Sequence, residues 1–454
     1  MSSPLASLRN MIPVSFLLKY HLLKSILATL LNFRPSRKLL VIGITGTKGK
    51  STTANFLWSI LQATGKTTGL LGTANVRIGK REELNNWHMT MPSPFAIQHF
   101  LRNVKNEGGT AAILEFTSEG AKQSRHIGID FDGAVFLNLS PEHLPSHGGS
   151  FEAYKKEKQK LFSRLASSFI KTIGGRPVPK IMVANKNDAN AMEFLKFSAH
   201  KKYFFQLLSS ENTDSPLQSG EHIPCVTATI VSQTEEKMVL DICEETHHHP
   251  VDIFLPGGKN AENALAAVTI ARGYGVSWEA IETGLESLTC VPGRMERITE
   301  GQPFTVFVDY AHEEKSMEFV LKTGRKMLDG KKGKLMILLG AEGGGRDTAK
   351  RAKMGKLVGE LSDTVMVSNV DPYEDNPTEI CEDIASAAEK AGKIRGTDLF
   401  VMEDRRQGIA TLFALAKEGD IVFITGKGSE QSIVIDGKKL PWDDRQVVRE
   451  ELRK

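Results

Sequence analysis

A glycine-rich loop between a short apolar run and a helical pattern constrains the fold of this chain more than any other feature. Residues 39–44 are apolar and partly β-branched, which is typical of a buried strand. They lead into the loop GITGTKGKST at residues 43–52, and residues 52–63 then have helical character. Glycines allow backbone N–H groups to close around phosphates, and the start of the following helix favours anions. The sequence therefore predicts a phosphate-binding loop, in which Lys50 reaches the terminal phosphates and Ser51 binds Mg²⁺.

This loop departs from the common GxxxxGK[ST] pattern at one position. The pattern has glycine where this chain has Ile44, and the glycines of the chain stand instead at positions 43 and 46. A glycine turn formed by chance is the alternative interpretation. The strand and the helix flank the loop in the order that nucleotide binding requires, so we interpret it as a variant phosphate-binding loop.

Short apolar runs recur along the chain, with helix-like stretches between them. Three of these runs, at residues 111–116, 133–139 and 180–184, precede the Val-Pro-Gly at 291–293, where we expect a domain boundary. Five more follow it, at residues 305–309, 334–339, 364–368, 399–402 and 421–425. Such alternation of strands and helices is typical of parallel sheets covered by helices. Residues 225–255 differ, because β-branched and polar residues alternate there without a helix. They predict a small antiparallel insertion at the edge of the sheet.

These patterns predict an α/β fold with three parts. Residues 1–38 are expected to form an N-terminal helical extension. Residues 39–292 are expected to form a central P-loop domain, whose doubly wound, mostly parallel sheet carries the small β insertion. Residues 293–454 are expected to form a C-terminal Rossmann-like α/β domain.

The segment over residues 11–33 is apolar, but Lys19, His21 and Lys24 interrupt it. No uninterrupted run reaches the roughly 18–20 apolar residues of a spanning helix. We predict an amphipathic helix that packs on the protein, with a helix lying in a membrane interface as the alternative.

Composition argues against several classes of function. A net charge of +4 over 454 residues is too small to predict nucleic-acid binding. The four cysteines are widely spaced and contain no CxxC pair, which argues against a disulfide framework or a structural zinc site and fits a cytoplasmic protein. The three histidines at 247–249 are interpreted as an exposed loop, because adjacent histidines on a strand cannot all face one ion.

Three further positions are candidates for chemistry, each with a structural alternative. Glu115 ends an apolar run, where open α/β sheets bind ligands, but a structural carboxylate fits equally well. His143 follows the next run, in NLSPEHLPSH, and suits either a metal ligand or a hydrogen-bonded structural histidine. Lys158 lies in YKKEKQKLF, whose spacing alone predicts a solvated, lysine-rich helix.

Together these segments resemble the Mur ligase family, whose members use ATP to make peptide bonds in bacterial cell-wall synthesis. The loop resembles the family's TGTNGKTT, residues 138–148 resemble NLxxDHLDxHG, and residues 154–162 resemble a YxxxKxxLF helix whose lysine is carbamylated. The segments DYAH at 309–312, GGRD at 344–347 and GKGSE at 426–430 point within the family to the UDP-N-acetylmuramoyl-tripeptide synthetases.

The resemblance implies a reaction in which ATP phosphorylates the terminal carboxylate of UDP-N-acetylmuramoyl-L-Ala-D-Glu. The amine of a free amino acid then attacks the acyl phosphate, and ADP and phosphate are released. The implied catalytic residues are Lys50, Glu115, His143 and Lys158. The implied ligands of two Mg²⁺ ions are Ser51, Glu115, His143 and Lys158, the last as a carbamate because an ammonium group cannot ligate a metal.

The resemblance also implies which residues contact the nucleotide and the substrates. Those for ATP are Gly46, Thr47, Lys48, Gly49, Lys50, Ser51, Thr52, Asn260, Arg294, Asp309 and His312. Those for the UDP-sugar peptide are Thr90, Thr117, Gln123 and Arg125. Those for the incoming amino acid are Arg346, Asp371, Tyr373, Gly426 and Glu430. The last domain is expected to close over the site, which excludes water from the acyl phosphate.

Several features depart from the family pattern. Only 38 residues precede the first predicted strand, so we expect the usual separate N-terminal UDP-binding domain to be absent. Lys48, Glu119, Lys259 and Ser429 stand where the family has Asn, His, Phe and His.

The segment that selects the amino acid also differs. Residues 370–373 read VDPY, where enzymes that choose meso-diaminopimelate carry DNPR, whose arginine pairs with the distal carboxylate. Tyr373 cannot make that pair, and Asp371 adds a negative charge. We therefore expect lysine or ornithine to be preferred.

Two other functions stay open from the sequence. One is a related Mur-type or folylpolyglutamate-type ligase that acts on a different carboxylate acceptor, although DYAH and GKGSE disfavour the folate branch. The other is a nucleotide-binding regulatory protein without ligase turnover. The main prediction is a cytoplasmic, monomeric ligase that uses ATP and Mg²⁺, with no nucleic-acid partner and no firm membrane partner.

Overall fold

The computed structural model describes residues 14–85, 87, 89–141, 144–208, 222–234, 236–255, 257–345 and 348–454. The chain divides into two units, Met1–Thr289 and Cys290–Lys454. Each unit is built on a mostly parallel sheet, with helices between many of its parallel strands, which confirms the predicted α/β class.

The described residues of the first unit form a large sheet of eleven strands. In chain order these are β1 (Leu40–Thr45), β2 (Thr68–Leu71), β3 (Asn75–Ile78), β4 (Arg81–Leu84), β5 (Ala111–Phe116), β6 (Gly133–Phe136), β9 (Ile181–Asn185), β10 (Lys201–Leu207), β11 (Cys225–Gln233), β12 (Met238–Glu244) and β13 (His247–Ile253). The short strands β7 (Thr172–Ile173) and β8 (Arg176–Pro177) form a separate hairpin. The spatial order of the large sheet is β13-β12-β11-β10-β9-β6-β1-β5-β2-β3-β4.

The helices of the first unit cover this sheet and its edges. They are α1 (Val14–Leu31), α2 (Lys50–Ala63), α3 (Pro94–Asn106), α4 (Ser118–Lys122), α5 (Phe151–Ser167), α6 (Ala191–Leu195), α7 (Gly258–Gly273) and α8 (Trp278–Ser287). Ser93, Ser150 and Ser277 cap α3, α5 and α8 through their hydroxyls, which satisfies a backbone N–H in the first turn of each helix.

The central strands β1 and β5 bring the two main chemical segments together. Both strands are almost entirely buried, as expected of strands covered on both faces by helices. They pair in parallel, with Ile44 opposite Glu115 and Thr45 opposite Phe116. The loop after β1 and the acid at the end of β5 therefore lie at the same edge of the sheet.

The edges of the sheet hold the differences from the sequence prediction. The predicted insertion is present, but β11 pairs in parallel with β10 before β12 and β13 continue antiparallel, so all of it belongs to the main sheet. The opposite edge ends in the antiparallel strands β2–β3–β4, which the sequence did not predict. The prediction of a histidine loop was wrong: residues 247–249 begin β13, where His249 stacks on Trp278 at 3.7 Å between ring centroids.

Helix α1 lies where the apolar N-terminal segment predicts a helix, but it does not pack through its apolar residues. Ser25, Ala28 and Thr29 are buried, whereas most of its large hydrophobic side chains are exposed. The prediction of a helix that packs on the protein is confirmed, but its amphipathic character was predicted wrongly, because the buried side is formed by small residues. Among the helices that the structure describes, none has the length and the hydropathy needed to span a bilayer.

The second unit contains a six-stranded sheet with the order β14-β15-β19-β16-β17-β18. Its strands are β14 (Glu296–Ile298), β15 (Thr305–Asp309), β16 (Leu335–Leu339), β17 (Thr364–Val367), β18 (Leu399–Val401) and β19 (Ile421–Thr425), with a hairpin of β20 (Ser432–Ile435) and β21 (Lys438–Pro441). Its helices are α9 (Glu314–Met327), α10 (Ala349–Leu361), α11 (Pro377–Lys390), α12 (Arg405–Leu415) and α13 (Asp444–Leu452). Among the described strands of this sheet, only β14 runs antiparallel to its neighbour.

Candidate active site

The glycine-rich loop turns sharply into α2 at Gly49. This residue has a φ of 89°, a conformation that glycine adopts without steric penalty. A Cβ at Gly49 would lie 2.2 Å from Oδ1 of Asn263, which comes from α7. Both the backbone turn and the close approach of α7 therefore require glycine here.

Within the part of the chain that the structure describes, no side chain caps the N-terminus of α2. The hydroxyl caps of α3, α5 and α8 use up an N–H group at their N-termini, whereas Gly49 offers no such acceptor at the start of α2. The first N–H groups of a helix and its dipole attract anions. The geometry at Gly49, Lys50 and Ser51 is thus compatible with the predicted phosphate-binding loop.

Lys50 folds back over the loop that it follows. Its Nζ lies 3.0 Å from the carbonyl oxygen of Gly46 and 3.0 Å from that of Thr47, and it donates to both. The cationic end of this side chain is consequently held against the loop where a phosphate would be neutralised.

Lys158 is buried against the same loop. Its side chain is 2% exposed, its Nζ donates to the carbonyl oxygen of Gly46 at 2.9 Å, and it lies 4.7 Å from the centroid of the Tyr154 ring. The Tyr154 hydroxyl in turn lies 3.2 Å from Oγ1 of Thr47. The alternative of a solvated lysine was wrong for Lys158, although it describes the exposed Lys156 two residues earlier.

Asn138 fastens the loop from the other side, a role that the sequence did not predict. Its Oδ1 accepts from the N–H of Lys48 at 2.9 Å, and its Nδ2 donates to the carbonyl oxygen of Lys48 at 3.1 Å. Its own carbonyl oxygen accepts from the N–H of Thr47 at 2.9 Å. The sequence feature that could have indicated this role is the position of Asn138 two residues after β6, at the same edge of the sheet as the loop.

Glu115 is held by a chain of hydroxyl groups. It is 1% exposed; its Oε1 accepts from the N–H of Thr73 at 2.7 Å, and its Oε2 accepts from the Thr73 hydroxyl at 2.9 Å. The Thr73 hydroxyl also lies 2.8 Å from the hydroxyl of Thr90. Thr73 was missed in the sequence because its contact with Glu115 depends on the pairing of β2 with β5.

Of the four predicted acceptor-binding residues, Thr90 lies beside Thr73, and the other three form two local groups. Thr117 caps α4, with its hydroxyl accepting from the N–H of Gly120 at 3.1 Å. Arg125 donates to Oε1 of Gln123 at 2.6 Å and also to the carbonyl oxygen of Met91. The N–H of Thr117 lies 3.2 Å from Sδ of Met91, so Met91 links both groups.

Ser51 and Glu115, two of the predicted Mg²⁺ ligands, lie among the described residues. The hydroxyl of Ser51 and the carboxylate of Glu115 are hard oxygen donors of the kind that Mg²⁺ prefers. In the described part of the chain no three His, Cys, Asp or Glu side chains cluster as metal ligands. His143 lies outside the described residues. An unmodified Lys158 amine adds no ligand, so the donor set fits Mg²⁺ better once that amine bears a carboxylate.

In the second unit Asp309, at the end of β15, binds the backbone of two neighbouring segments. Its Oδ2 accepts from the N–H of Met295 at 2.7 Å and its Oδ1 from the N–H of Ala311 at 2.8 Å. The guanidinium of Arg294 stacks 4.3 Å from the Tyr310 ring centroid, and Nδ1 of His312 lies 2.7 Å from the Tyr310 carbonyl oxygen. Asp309 thus holds the backbone that carries Arg294 and His312. Asn260, the remaining predicted ATP contact, lies in the first turn of α7 in the first unit.

The predicted amino-acid pocket contains an ion pair that the sequence did not reveal. Oδ2 of Asp371 accepts from Nζ of Lys427 at 2.7 Å, and Oδ1 accepts from the N–H of Val434. Lys427 also pairs with Glu430 at 2.6 Å, and the two carboxylates outweigh burial and raise the pKa of Lys427. The charge of Asp371 is therefore compensated, which removes the electrostatic reason for expecting it to attract an ammonium group.

Tyr373 and Gly426 lie close to this ion pair, and Arg346 falls outside the described residues. Tyr373 adopts a φ of 56°, its carbonyl oxygen accepts from the N–H of Gly437, and its ring faces Gly344. A Cβ at Gly426 would lie 2.9 Å from the side chain of Val370.

Comparison with known proteins identifies both units. Residues 44–271 match the model of the Mur ligase middle domain, and residues 293–428 match that of the Mur ligase, glutamate ligase domain. A UDP-N-acetylmuramyl-tripeptide synthetase of Roseiflexus sp. (strain RS-1) is 35% identical over 421 residues, which are 92% of this chain and 79% of that protein. A UDP-N-acetylmuramoyl-L-alanyl-D-glutamate–2,6-diaminopimelate ligase of Halalkalibacterium halodurans is 32% identical over 419 residues, with the same two shares.

Solved structures agree with this assignment. The structure of a UDP-N-acetylmuramoyl-L-alanyl-D-glutamate–2,6-diaminopimelate ligase has a TM-score of 0.60 and 27% identity, and covers 91% of this chain and 78% of its own. The folylpolyglutamate synthase of Mycobacterium tuberculosis, with a TM-score of 0.64 and 18% identity, covers 89% and 92% and shares the fold. The chain therefore belongs to the Mur ligase family, the ATP-dependent ligases that form amide bonds in peptidoglycan synthesis.

Proposed function

We propose that this ligase adds a free amino acid to UDP-N-acetylmuramoyl-L-Ala-D-Glu. The observation that best supports this proposal is the burial of Lys158, whose Nζ lies 2.9 Å from the carbonyl oxygen of Gly46 in the predicted phosphate-binding loop. A lysine held inside the protein beside a phosphate site needs a chemical reason. The relatives named as tripeptide synthetase and diaminopimelate ligase support the choice of acceptor.

Lys158 carries a carbamate in the active enzyme. The neutral amine attacks CO₂, a C–N bond forms, and the nitrogen loses a proton, which leaves two carboxylate-like oxygens and a negative charge. Enzymes of this family use ATP with Mg²⁺, and bound Mg²⁺ neutralises charge on the transferred phosphoryl group. Ser51, Glu115 and the carbamate would hold it, together with His143.

Other residues bind ATP and hold the phosphate-binding loop in position. Lys50 and the open N-terminus of α2 hold and neutralise the phosphates of ATP. Asn138 keeps the loop backbone in position by its three hydrogen bonds to Thr47 and Lys48. Phosphoryl transfer to a carboxylate depends on alignment and charge neutralisation, so a rigid loop of this kind is what the reaction requires.

An ADP-release assay tests the acceptor and the amino acid together. UDP-N-acetylmuramoyl-L-Ala-D-Glu is offered with a panel of amino acids, and a folate acceptor serves as a separate arm. We expect ADP release that requires both the UDP-sugar dipeptide and an amino acid, and that is abolished in Lys50→Ala with an unchanged circular dichroism spectrum. Turnover with the folate acceptor alone would instead support the folylpolyglutamate-type alternative.

The carbamate has its own test. In ¹³C-bicarbonate the protein should show a carbamate carbon resonance that is lost in Lys158→Ala and retained in Lys156→Ala, the exposed neighbour on the same helix. The Lys158→Ala enzyme should be nearly inactive and partly rescued by acetate. Wild-type activity in Lys158→Ala would contradict the assignment.

The amino acid is selected chiefly by the side chain at position 373, which is tyrosine in this chain and arginine in the DNPR segment of diaminopimelate enzymes. The phenol ring of Tyr373 carries no positive charge for a second carboxylate, and Asp371 is already paired with Lys427. We therefore propose lysine or ornithine over meso-diaminopimelate through discrimination against the distal carboxylate. A tenfold or greater preference in kcat/KM for diaminopimelate would contradict this, since losing a charge-assisted pair costs about 1.5–3 kcal/mol.

A further inference from the structure

Helix α1 exposes a continuous apolar stripe. Phe16, Tyr20, Leu23, Leu27 and Leu30 are 64%, 54%, 66%, 48% and 52% exposed. They recur at spacings of three and four residues, so they lie along one side of the helix. Single exposed hydrophobic residues are ordinary, but folded monomers rarely leave so long an apolar surface without a partner.

The opposite side of α1 fixes the helix to the protein. Ser25, Ala28 and Thr29 are at most 5% exposed. Oγ1 of Thr29 accepts from Nε2 of Gln98 at 3.2 Å, and a Cβ at Gly128 would lie 1.9 Å from that same oxygen. The helix therefore packs closely through its small residues, and this packing turns the apolar stripe outward.

Basic residues flank the stripe and follow the helix. At about 3.6 residues per turn, Lys19 and Lys24 lie on opposite flanks of it. Arg34 and Lys38 follow the helix and are exposed. In the whole sequence no Asp or Glu occurs before Glu82. An apolar stripe flanked by lysines, with no acid near it in sequence, is the pattern of a helix that binds an anionic interface.

We propose that α1 docks on the surface of an anionic lipid bilayer. The helix lies in the plane of the interface, with its apolar stripe among the acyl chains and the ammonium groups of Lys19 and Lys24 at the phosphates. Charge favours a bilayer over a second copy of this chain, because an isologous dimer through this face would bring the same lysines towards one another. The docking is independent of the ligase chemistry.

Vesicle binding tests this inference. The full chain is sedimented with vesicles of phosphatidylcholine alone, or with about one third phosphatidylglycerol, at low and high salt. We expect binding to the anionic vesicles that weakens with salt, since each basic residue at such a surface strengthens binding by about fivefold. Leu23→Gln/Leu27→Gln/Leu30→Gln should lower the partition coefficient by about tenfold or more.

A matched control separates this stripe from general hydrophobicity. Ile170, Val231 and Ile394 are 53%, 64% and 62% exposed and lie outside α1, so their replacement by Gln removes as many exposed apolar side chains. That variant should bind vesicles as the wild type does, and both triple variants should keep the wild-type circular dichroism spectrum.

A second variant tests the proposal even if the leucine substitutions disturb folding. Lys19→Gln/Lys24→Gln leaves the stripe intact and should weaken binding to anionic vesicles only. Wild-type protein that does not bind the anionic vesicles, or binding unchanged by the leucine substitutions, would overturn the inference. A concentration-dependent dimer that the leucine substitutions dissociate would show that a second copy covers the stripe, which also overturns it.

Discussion

The hydroxyl of Thr73 gives a quantitative test of how Glu115 is held. Thr73→Val keeps the shape of the side chain but removes the donor to Oε2 and the link to Thr90. A hydrogen bond to a charged group contributes about 1.5–3 kcal/mol to stability. Because the N–H of Thr73 still binds Oε1, we expect the unfolding free energy of the first unit to fall by about 2 kcal/mol.

The same change should weaken the binding of Mg²⁺. Without the Thr73 hydroxyl, Oε2 of Glu115 loses the group that fixes its direction. Removing a residue that orients a metal ligand typically lowers metal affinity or activity by about 10–100-fold. We therefore expect the Mg²⁺ concentration that gives half-maximal ADP release to rise by about tenfold or more in Thr73→Val.

Two measurements and two controls complete this test. Denaturant unfolding is followed by tryptophan fluorescence, because three of the four tryptophans, Trp58, Trp87 and Trp278, lie in the first unit. Thr73→Ser keeps the hydroxyl and should resemble the wild type, while Thr90→Val removes only the outer link and should have a smaller effect. Wild-type stability and Mg²⁺ dependence in Thr73→Val would refute the role of this hydroxyl.

Three further predictions concern pH, the loop and the amino acid. Burial and nearby cations lower the pKa of His126 to about 3 from its ordinary 6.5, so its contribution to stability is complete above pH 6.5 and is lost as the pH falls towards 3. In the wild type this loss of unfolding free energy is about 2 kcal/mol at pH 5. His126→Gln should therefore make Tm fall less steeply as the pH is lowered, and an unchanged slope would contradict this. Gly49→Ala should raise the KM for ATP more than Gly65→Ala. Both glycines have a positive φ, but only at Gly49 would the added Cβ clash with Asn263. Equal effects on KM would show that this clash does not affect the loop. Tyr373→Arg should raise kcat/KM for diaminopimelate relative to lysine by about tenfold, and an unchanged ratio would place selection elsewhere.

The sequence predicted those parts of the site that depend on continuous local patterns. The run before the loop is apolar throughout because β1 is covered on both faces, and the loop follows it directly. Glu115 could be placed at the same sheet edge because it ends a second such run. Family resemblance then singled out Lys158, whose helix otherwise resembles a solvated one.

Contacts between distant residues could not be predicted in this way. The bond between Thr73 and Glu115 depends on β2 lying next to β5, and the pair of Asp371 and Lys427 joins residues 56 positions apart. The orientation of α1 was predicted wrongly for a related reason. Its buried face is formed by small residues, among them Thr29, which closely approaches Gly128. The hydrophobic pattern of the helix alone could not reveal this contact between distant parts of the chain.

Isotope transfer tests the ligase mechanism most directly. UDP-N-acetylmuramoyl-L-Ala-D-Glu labelled with ¹⁸O in its terminal carboxylate is turned over with ATP, Mg²⁺ and lysine, and the released phosphate is analysed by mass spectrometry. If that carboxylate attacks the γ-phosphoryl group and the amine then displaces phosphate, each phosphate released should carry one ¹⁸O atom. Phosphate without ¹⁸O, formed at the same rate whether or not the UDP-sugar dipeptide is present, would contradict the proposed function.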